Sequence, residues 1–167
     1  MPAASAGLLL FRRQPGGGVE VLLGHMGGPF WSRRHEGAWT IPKGEPGPGE
    51  APYAAALREA EEELGVPVPP PADPGAGDLD LGEVRQRAGK RVQAWAREVR
   101  PDALDLAALA SNTTEIEWPP RSGRRLTVPE LDRYAWFAPP AARPVVVQAP
   151  AAFLDRLESF LAARPSP

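Results

Sequence analysis

Proline and glycine decide where regular structure can form in this chain. The 167 residues include 22 prolines and 17 glycines, and proline interrupts both helices and inner strands. Residues 51–64 hold no proline after Pro52, are rich in helix formers and precede Gly65, a residue type favoured just past a helix end. Residues 150–163 carry apolar side chains at helical spacing and predict a closing amphipathic helix.

Short apolar runs between turn residues predict the strands. The first two, residues 8–12 and 19–24, flank a glycine-rich loop and form an antiparallel hairpin. Further extended segments are expected at residues 38–41, 79–86, 91–98, 112–118 and 134–137. A turn at residues 44–49 and a surface connection at residues 68–77, which holds four prolines, separate some of them. One globular domain spanning residues 1–167 is the expected organisation.

The charge balance and the absence of cysteine exclude several function classes. Nineteen basic and 21 acidic residues give a net charge of −2 without a basic stripe, so no nucleic-acid polymer is expected as partner. With no cysteine, a disulfide framework, a thiolate zinc site and a cysteine nucleophile are ruled out. No apolar run is long enough to cross a membrane. The apolar start lacks a basic leader and predicts a first strand, so we expect a cytoplasmic protein without a membrane partner.

The helix at residues 51–64 carries three carboxylates on one face. At about 100° per residue, Glu59, Glu62 and Glu63 fall close together. The apolar side chains form a separate stripe, namely Tyr53, Ala56, Leu57, Ala60 and Leu64. Like charges at this spacing repel each other, and a divalent cation would reverse that repulsion because Mg²⁺ prefers carboxylate oxygens. A solvated glutamate-rich face is the alternative interpretation.

The residues around this helix follow a longer pattern. It consists of Gly44, five residues, Glu50, seven residues, Arg58 and Glu59, two residues, Glu62 and Glu63, one residue, Gly65 and the aliphatic Val66. This pattern is the signature of the Nudix hydrolases, so the chain resembles the Nudix (MutT-type) family over residues 44–66. Ala60 departs slightly, since a larger aliphatic residue is usual there.

The resemblance implies a fold, a cofactor and a reaction. The expected α/β fold is an α/β/α sandwich with a mixed central sheet. The expected reaction is the Mg²⁺- or Mn²⁺-dependent hydrolysis of a nucleoside diphosphate linked to another moiety. By resemblance Glu59, Glu62 and Glu63 are metal ligands, and Gly44 lets the backbone approach the metal. Arg58 and Glu50 brace the helix and orient those carboxylates.

The hydrolysis also requires a base for the attacking water. Candidates are Glu62 and Glu63, or a carboxylate from outside the motif. Glu115 and Glu117 share one face of the strand at residues 112–118, and we expect at least one to face the metal site. An exposed strand edge is the alternative for this pair.

Substrate contacts are predicted before and beyond the motif. Pro42, Lys43 and Gly44 resemble the lead into the motif of diadenosine and diphosphoinositol polyphosphate hydrolases, and Lys43 is a candidate point charge for phosphate. Arg34 lies in a basic loop that can meet phosphates. The aromatic candidates for stacking on a base are Trp31, Trp118 and Tyr134, each with a core position as the alternative.

Three functions compete within this family. The first function is hydrolysis of a dinucleoside polyphosphate. The second is that of a sanitising nucleoside triphosphate pyrophosphohydrolase. The lead and the segment 115–124 also resemble bacterial Nudix proteins assigned only as NTP pyrophosphohydrolases. A non-catalytic nucleotide-sensing module would be expected to have lost a carboxylate, whereas all three are present. Isopentenyl diphosphate isomerases rely on a cysteine and are excluded. The oligomeric state is left open, a homodimer included.

Overall fold

The computed structural model describes residues 4–163. They form nine strands and three helices in the order β1 (Ala4–Arg13), β2 (Val19–Met26), β3 (Trp39–Thr40), β4 (Lys43–Gly44), α1 (Pro52–Leu64), β5 (Leu79–Arg85), β6 (Arg91–Glu98), β7 (Thr113–Glu117), β8 (Arg125–Pro129), β9 (Leu131–Phe137), α2 (Pro139–Ala142) and α3 (Gln148–Ala163). A short 3₁₀ turn occupies Leu106–Ala108. Among these residues no helix is long and apolar enough to cross a membrane.

A mixed sheet forms the centre of the fold. Its strands run in the order β3, β2, β1, β6, β5, while β4 also pairs with β1 and β9 also pairs with β2. Strand β1 is parallel to β6, and the remaining pairs of this sheet are antiparallel. Strands β7 and β8 form a separate antiparallel hairpin. The predicted mixed sheet is therefore confirmed.

Helices cover both faces of the sheet because successive side chains of β1 point to opposite sides. Leu8 and Leu10 are buried in one core cluster, with residues of α1. Leu9 and Phe11 are buried in the other, with residues of α3 that include Phe153. The arrangement is the α/β/α sandwich that the sequence predicts.

Helix α1 begins and ends where the proline and glycine pattern indicates. Gly65 follows it with a φ of 73°, and its N–H donates to the carbonyl of Glu61 at 2.8 Å. Tyr53 differs from the prediction, since it is exposed at one end of the apolar stripe. Its hydroxyl donates to Asp78, and its ring meets Trp95 edge-on with centroids 5.2 Å apart. Hydrogen bonding at the sheet margin thus replaces core packing at this position.

Several short elements depart from the predicted pattern. The turn predicted to begin at residue 44 starts inside strand β4, which is only two residues long. Strand β8 and helix α2 were not predicted, β9 begins at Leu131 instead of residue 134, and α3 begins two residues early. Each difference concerns a short segment or one that contains or adjoins proline. In such segments contacts with distant parts of the chain, and not the local sequence pattern, decide the structure.

Candidate active site

Strand β4 carries the start of the motif to the foot of helix α1. Lys43 and Gly44 pair with Gly7 and Ala6 of β1, which holds this turn against the centre of the sheet. A Cβ atom at Gly44 would overlap the carboxylate of Glu59. A larger residue here would push the Glu59 carboxylate out of its present position.

Arg58 joins the acidic residues of the motif. Its Nε and Nη2 donate to the two oxygens of Glu50, both at 2.8 Å, and its Nη1 donates to Glu59 at 2.9 Å and to Glu62 at 3.1 Å. These bonds from Arg58, together with the N–H of Gly47, lower the pKa of Glu50 to about 2. The bidentate pair ties the loop at residues 45–50 to the helix, consistent with the bracing that the motif predicts.

Glu63 occupies a different environment from its neighbours on the helix. Only 6% of the residue is exposed, so it lies on the buried side of α1 and not on the separate anionic face that the helical wheel predicts. Its Oε2 accepts from the N–H of Lys43 at 3.2 Å. Burial raises the pKa of Glu63 to about 8, and the nearby carboxylates of Glu130 and Glu59 add to this effect. Glu63 is thus a buried carboxyl group that keeps its proton to a higher pH than an exposed glutamate does.

The raised pKa of Glu63 predicts how the stability of the metal-free protein depends on pH. The folded state binds this proton more tightly than the unfolded chain, whose carboxyl keeps its ordinary value of 4.5. The stabilisation is complete below about pH 4.5 and is lost as the pH rises through about 8, a change on the order of a few kcal/mol. Urea unfolding in EDTA from pH 5 to 9 should show this slope for the wild type. Glu63→Gln should flatten it, and equal slopes would contradict the prediction.

A cleft of about 270 Å³ opens beside Glu63 at the edge of the sheet. Its polar lining consists of Thr40, Lys43, Glu63, Gln86 and Glu130, and its apolar lining of Met26, Trp31, Ile41, Leu131 and Val147. Burial and the neighbouring charge of Lys90 lower the pKa of Lys43. The cleft therefore combines a cationic group, two carboxyl groups and apolar surface in one lining.

Comparison with known proteins identifies this arrangement. A family model of the NUDIX domain matches residues 1–157. The chain belongs to the NUDIX family. The predicted family is confirmed, and with it the assignment as a Nudix pyrophosphohydrolase.

Solved structures share the Nudix fold at low sequence identity. The C. elegans Ap4A hydrolase in a binary complex is 22% identical with a TM-score of 0.60, and the match covers 96% of this chain and 98% of that one. A mutT/nudix family protein from Listeria innocua is 16% identical with a TM-score of 0.63, covering 98% and 96%. The NUDIX domain of Shewanella oneidensis NrtR, complexed with ADP ribose, is 15% identical with a TM-score of 0.62, covering 96% and 88%. A search of curated proteins finds no match.

The acidic residues of the Nudix motif fit a divalent cation by their chemistry. Glu59, Glu62 and Glu63 supply carboxylate oxygens, Gly44 leaves room beside Glu59, and the buried charge of Glu63 would be balanced by a cation. Across residues 4–163, no three acidic or histidine side chains stand close enough together to hold an ion as they are placed. Glu59 and Glu62 both turn toward Arg58 and would have to rotate toward Glu63.

Glu115 and Glu117 lie on the exposed face of strand β7. Glu117 accepts from the N–H of Arg121 at 2.7 Å, and within the described residues no hydrogen bond or ion pair joins either glutamate to the Nudix motif. Glu130 is the carboxylate from outside the motif that lines the cleft beside Glu63. Its N–H donates to the carbonyl of Asn112, whose own N–H donates to the carbonyl of Glu62, both at 2.9 Å. Sequence reasoning missed Glu130 because only the return of strand β8 brings it to this place.

The aromatic and basic candidates divide between the cleft and the surface. Trp31 lines the cleft. Tyr134 is outside the cleft lining, and its hydroxyl donates to the backbone carbonyl of Glu63. Burial and the proximity of Glu63 raise the pKa of Tyr134 to about 12. Arg34 stacks on the ring of Phe30 at 4.3 Å and does not line the cleft. Trp118 lies at the end of the β7–β8 hairpin, also outside the cleft lining.

Proposed function

We propose that this Nudix protein is a metal-dependent hydrolase that cleaves the diphosphate linkage of a nucleoside diphosphate joined to another moiety. The proposed substrate is a dinucleoside polyphosphate. The observation that carries the proposal is the buried Glu63 carboxylate, which lies beside Gly44 and Glu59 and forms part of the lining of the cleft. A buried carboxyl group costs stability once it ionises, so its presence in a cleft points to a function.

The proposed metal ligands are Glu59, Glu62 and Glu63, with the backbone at Gly44 close by. A Mg²⁺ or Mn²⁺ ion held there would neutralise diphosphate oxygens and acidify the attacking water. Arg58 and Glu50 hold the helix and the loop before it in register, so the carboxylates start from defined positions. The proton of the attacking water passes to a carboxylate. The candidates are Glu62 and Glu63 of the motif and, from outside the motif, the cleft residue Glu130.

The lining of the cleft suits the rest of the substrate. Lys43, which lies next to Glu63, contributes a positive charge to the cleft for phosphates beyond the cleaved bond. Trp31 and its apolar neighbours offer a surface on which a nucleobase can stack. A cation in the cleft suits a substrate that carries phosphates beyond the cleaved bond, as a dinucleoside polyphosphate does. The similar fold of the C. elegans Ap4A hydrolase agrees with this choice.

Release of nucleotide from a substrate panel tests the proposed function. The panel contains diadenosine polyphosphates, nucleoside triphosphates, oxidised dGTP, ADP-ribose, NADH and diphosphoinositol polyphosphates, each with Mg²⁺ or Mn²⁺ and with EDTA. We expect metal-dependent cleavage that is fastest for diadenosine polyphosphates and absent in EDTA. Faster cleavage of nucleoside triphosphates would favour the sanitising activity instead. Tight nucleotide binding without turnover would identify a sensing module.

The role of carboxylates outside the Nudix motif can be tested separately. Because Glu130 lines the cleft, Glu130→Gln should lower kcat about 10- to 100-fold. The double variant Glu115→Ala with Glu117→Ala tests the sequence prediction that at least one of these residues faces the metal site. Unchanged turnover and unchanged Mn²⁺ affinity in the double variant would refute that prediction. Full activity of Glu130→Gln would remove Glu130 from the proposed mechanism.

The proposal also covers the setting of the enzyme. We place residues 1–167 in one domain and the protein in the cytoplasm, acting on a small nucleotide or polyphosphate. Limited proteolysis should leave one resistant fragment that spans most of the chain, and cell fractionation tests the location.

A further inference from the structure

His25 lies at the end of strand β2 and is fully buried. Its Nδ1 is 2.8 Å from Oδ1 of Asp132, and its Nε2 is 2.7 Å from the backbone carbonyl oxygen of Arg34. Both distances are those of good hydrogen bonds. The two ring nitrogens therefore join strand β9, which carries Asp132, to the loop at residues 27–37, which carries Arg34.

The two partners of His25 fix how many protons the ring must carry. A backbone carbonyl only accepts hydrogen bonds, and so does an ionised carboxylate, whereas a neutral imidazole has a single N–H to donate. Asp132 keeps 26% of its side chain exposed and lies 3.9 Å from Nη1 of Arg133, and both features favour the ionised carboxylate. Two acceptors then require two N–H groups on the ring.

We propose that His25 is a buried imidazolium that anchors the loop at residues 27–37 and so positions Trp31 in the cleft. Several backbone bonds of the loop stay within it, such as those from Trp31 to Gly28 and from Arg34 to Trp31. Its middle is joined to the sheet by His25 and by the bond from Trp39 Nε1 to His35 Nδ1 at 3.1 Å. His25 is thus a positioning residue that acts on substrate through Trp31.

The charged groups around His25 suit a positively charged ring, because a carboxylate contacts it and the nearby arginine lies over a tryptophan. Arg133 lies opposite His25 in the pairing of β2 with β9, and its guanidinium stands over the ring of Trp39 at 5.5 Å from the centroid. His35, from the loop, accepts from Trp39 and so keeps Nδ1 unprotonated. Asp132 is the carboxylate that contacts the ring.

Nitrogen-15 NMR of the imidazole rings at neutral pH tests the charge directly in the wild-type protein. We expect both ring nitrogens of His25 to carry hydrogen, and His35→Gln assigns the signals because the chain has two histidines. In Asp132→Asn the amide can donate to Nδ1, so the ring should keep a single N–H. One N–H on His25 in the wild type would overturn the proposal.

Steady-state kinetics test the positioning role, which rests on the proposed function. His25→Leu should raise KM about tenfold or more with a smaller change in kcat, because charge-assisted bonds to the loop are lost. Asp132→Asn should keep KM within about threefold of the wild type because both bonds persist. If His25→Leu does not fold, His25→Asn keeps a donor for Asp132 but is too short to reach the carbonyl of Arg34, and it should raise KM likewise. Unchanged KM in the folded variant would overturn the positioning role. Absence of any turnover would instead count against the proposed function, since the NMR result stands without it.

Discussion

Glu62→Gln is expected to lower kcat by a factor of about 10³ or more and to leave the fold intact. The substitution removes a negative charge from the proposed metal ligands while keeping the size of the side chain. Glu62 is exposed and bonded to Arg58 at 3.1 Å, and such surface pairs contribute about 1 kcal/mol or less. Turnover with saturating Mn²⁺ and thermal unfolding by circular dichroism measure the two effects.

Glu61→Gln is the matched control for this experiment. Glu61 precedes Glu62 on the same helix and is exposed, but it stands at one of the unspecified positions of the Nudix motif. The control should keep kcat within about twofold of the wild type, since only a distant surface charge changes. Equal losses in both variants would mean that the general charge of the helix matters and that Glu62 has no specific role. Normal turnover in Glu62→Gln would exclude it as a required ligand.

Gly65→Ala is expected to destabilise the protein by about 3 kcal/mol or more. Two costs add at this position. The φ of 73° lies in the left-handed region, and a Cβ atom would overlap the carbonyl oxygen of Ala110. Ala110 cannot retreat easily, because its N–H donates to the carbonyl of Leu64 at 3.0 Å. Urea unfolding gives the change in free energy.

Gly49→Ala separates the two costs. Its φ of 72° is almost the same, but no atom lies within 4 Å of a Cβ placed there. The control should therefore lose only the conformational cost of about 1 kcal/mol. Similar losses in the two variants would show that the contact with Ala110 adds nothing and that backbone conformation alone requires glycine after helix α1.

Local sequence pattern predicts the long elements of this fold well. Helix α1 has clear limits because Pro52 and Gly65 stand at positions where proline and glycine are favoured. Strand β8 has no such signal: it is five residues long, ends in Pro129 and is stabilised by its pairing with β7. Strands of this kind depend on partners that are distant in the sequence, so local analysis does not find them.

The same distinction holds for the candidate site. The Nudix motif lies within 23 consecutive positions, residues 44–66, and the sequence shows its spacing directly. The burial of Glu63 depends on the docking of α1 beside strand β4, which a helical wheel does not contain. Asp132 meets His25 only when β9 pairs with β2, and Glu130 reaches the cleft only through the return of strand β8. Their roles remain predictions until the variants described above are measured.

The parallel pairing of β1 with β6 has a consequence for biosynthesis. Ala4 pairs with Arg91 and Phe11 with Glu98, so during synthesis β1 leaves the ribosome well before β6 and waits for this neighbour. The Nudix motif is complete long before that, but the sheet on which its helix packs is not. Such distant pairing is associated with slow folding, in milliseconds to seconds. During that interval the apolar run from Leu8 to Phe11 has an open edge, so a lower growth temperature, which weakens hydrophobic association, should increase the yield of native protein.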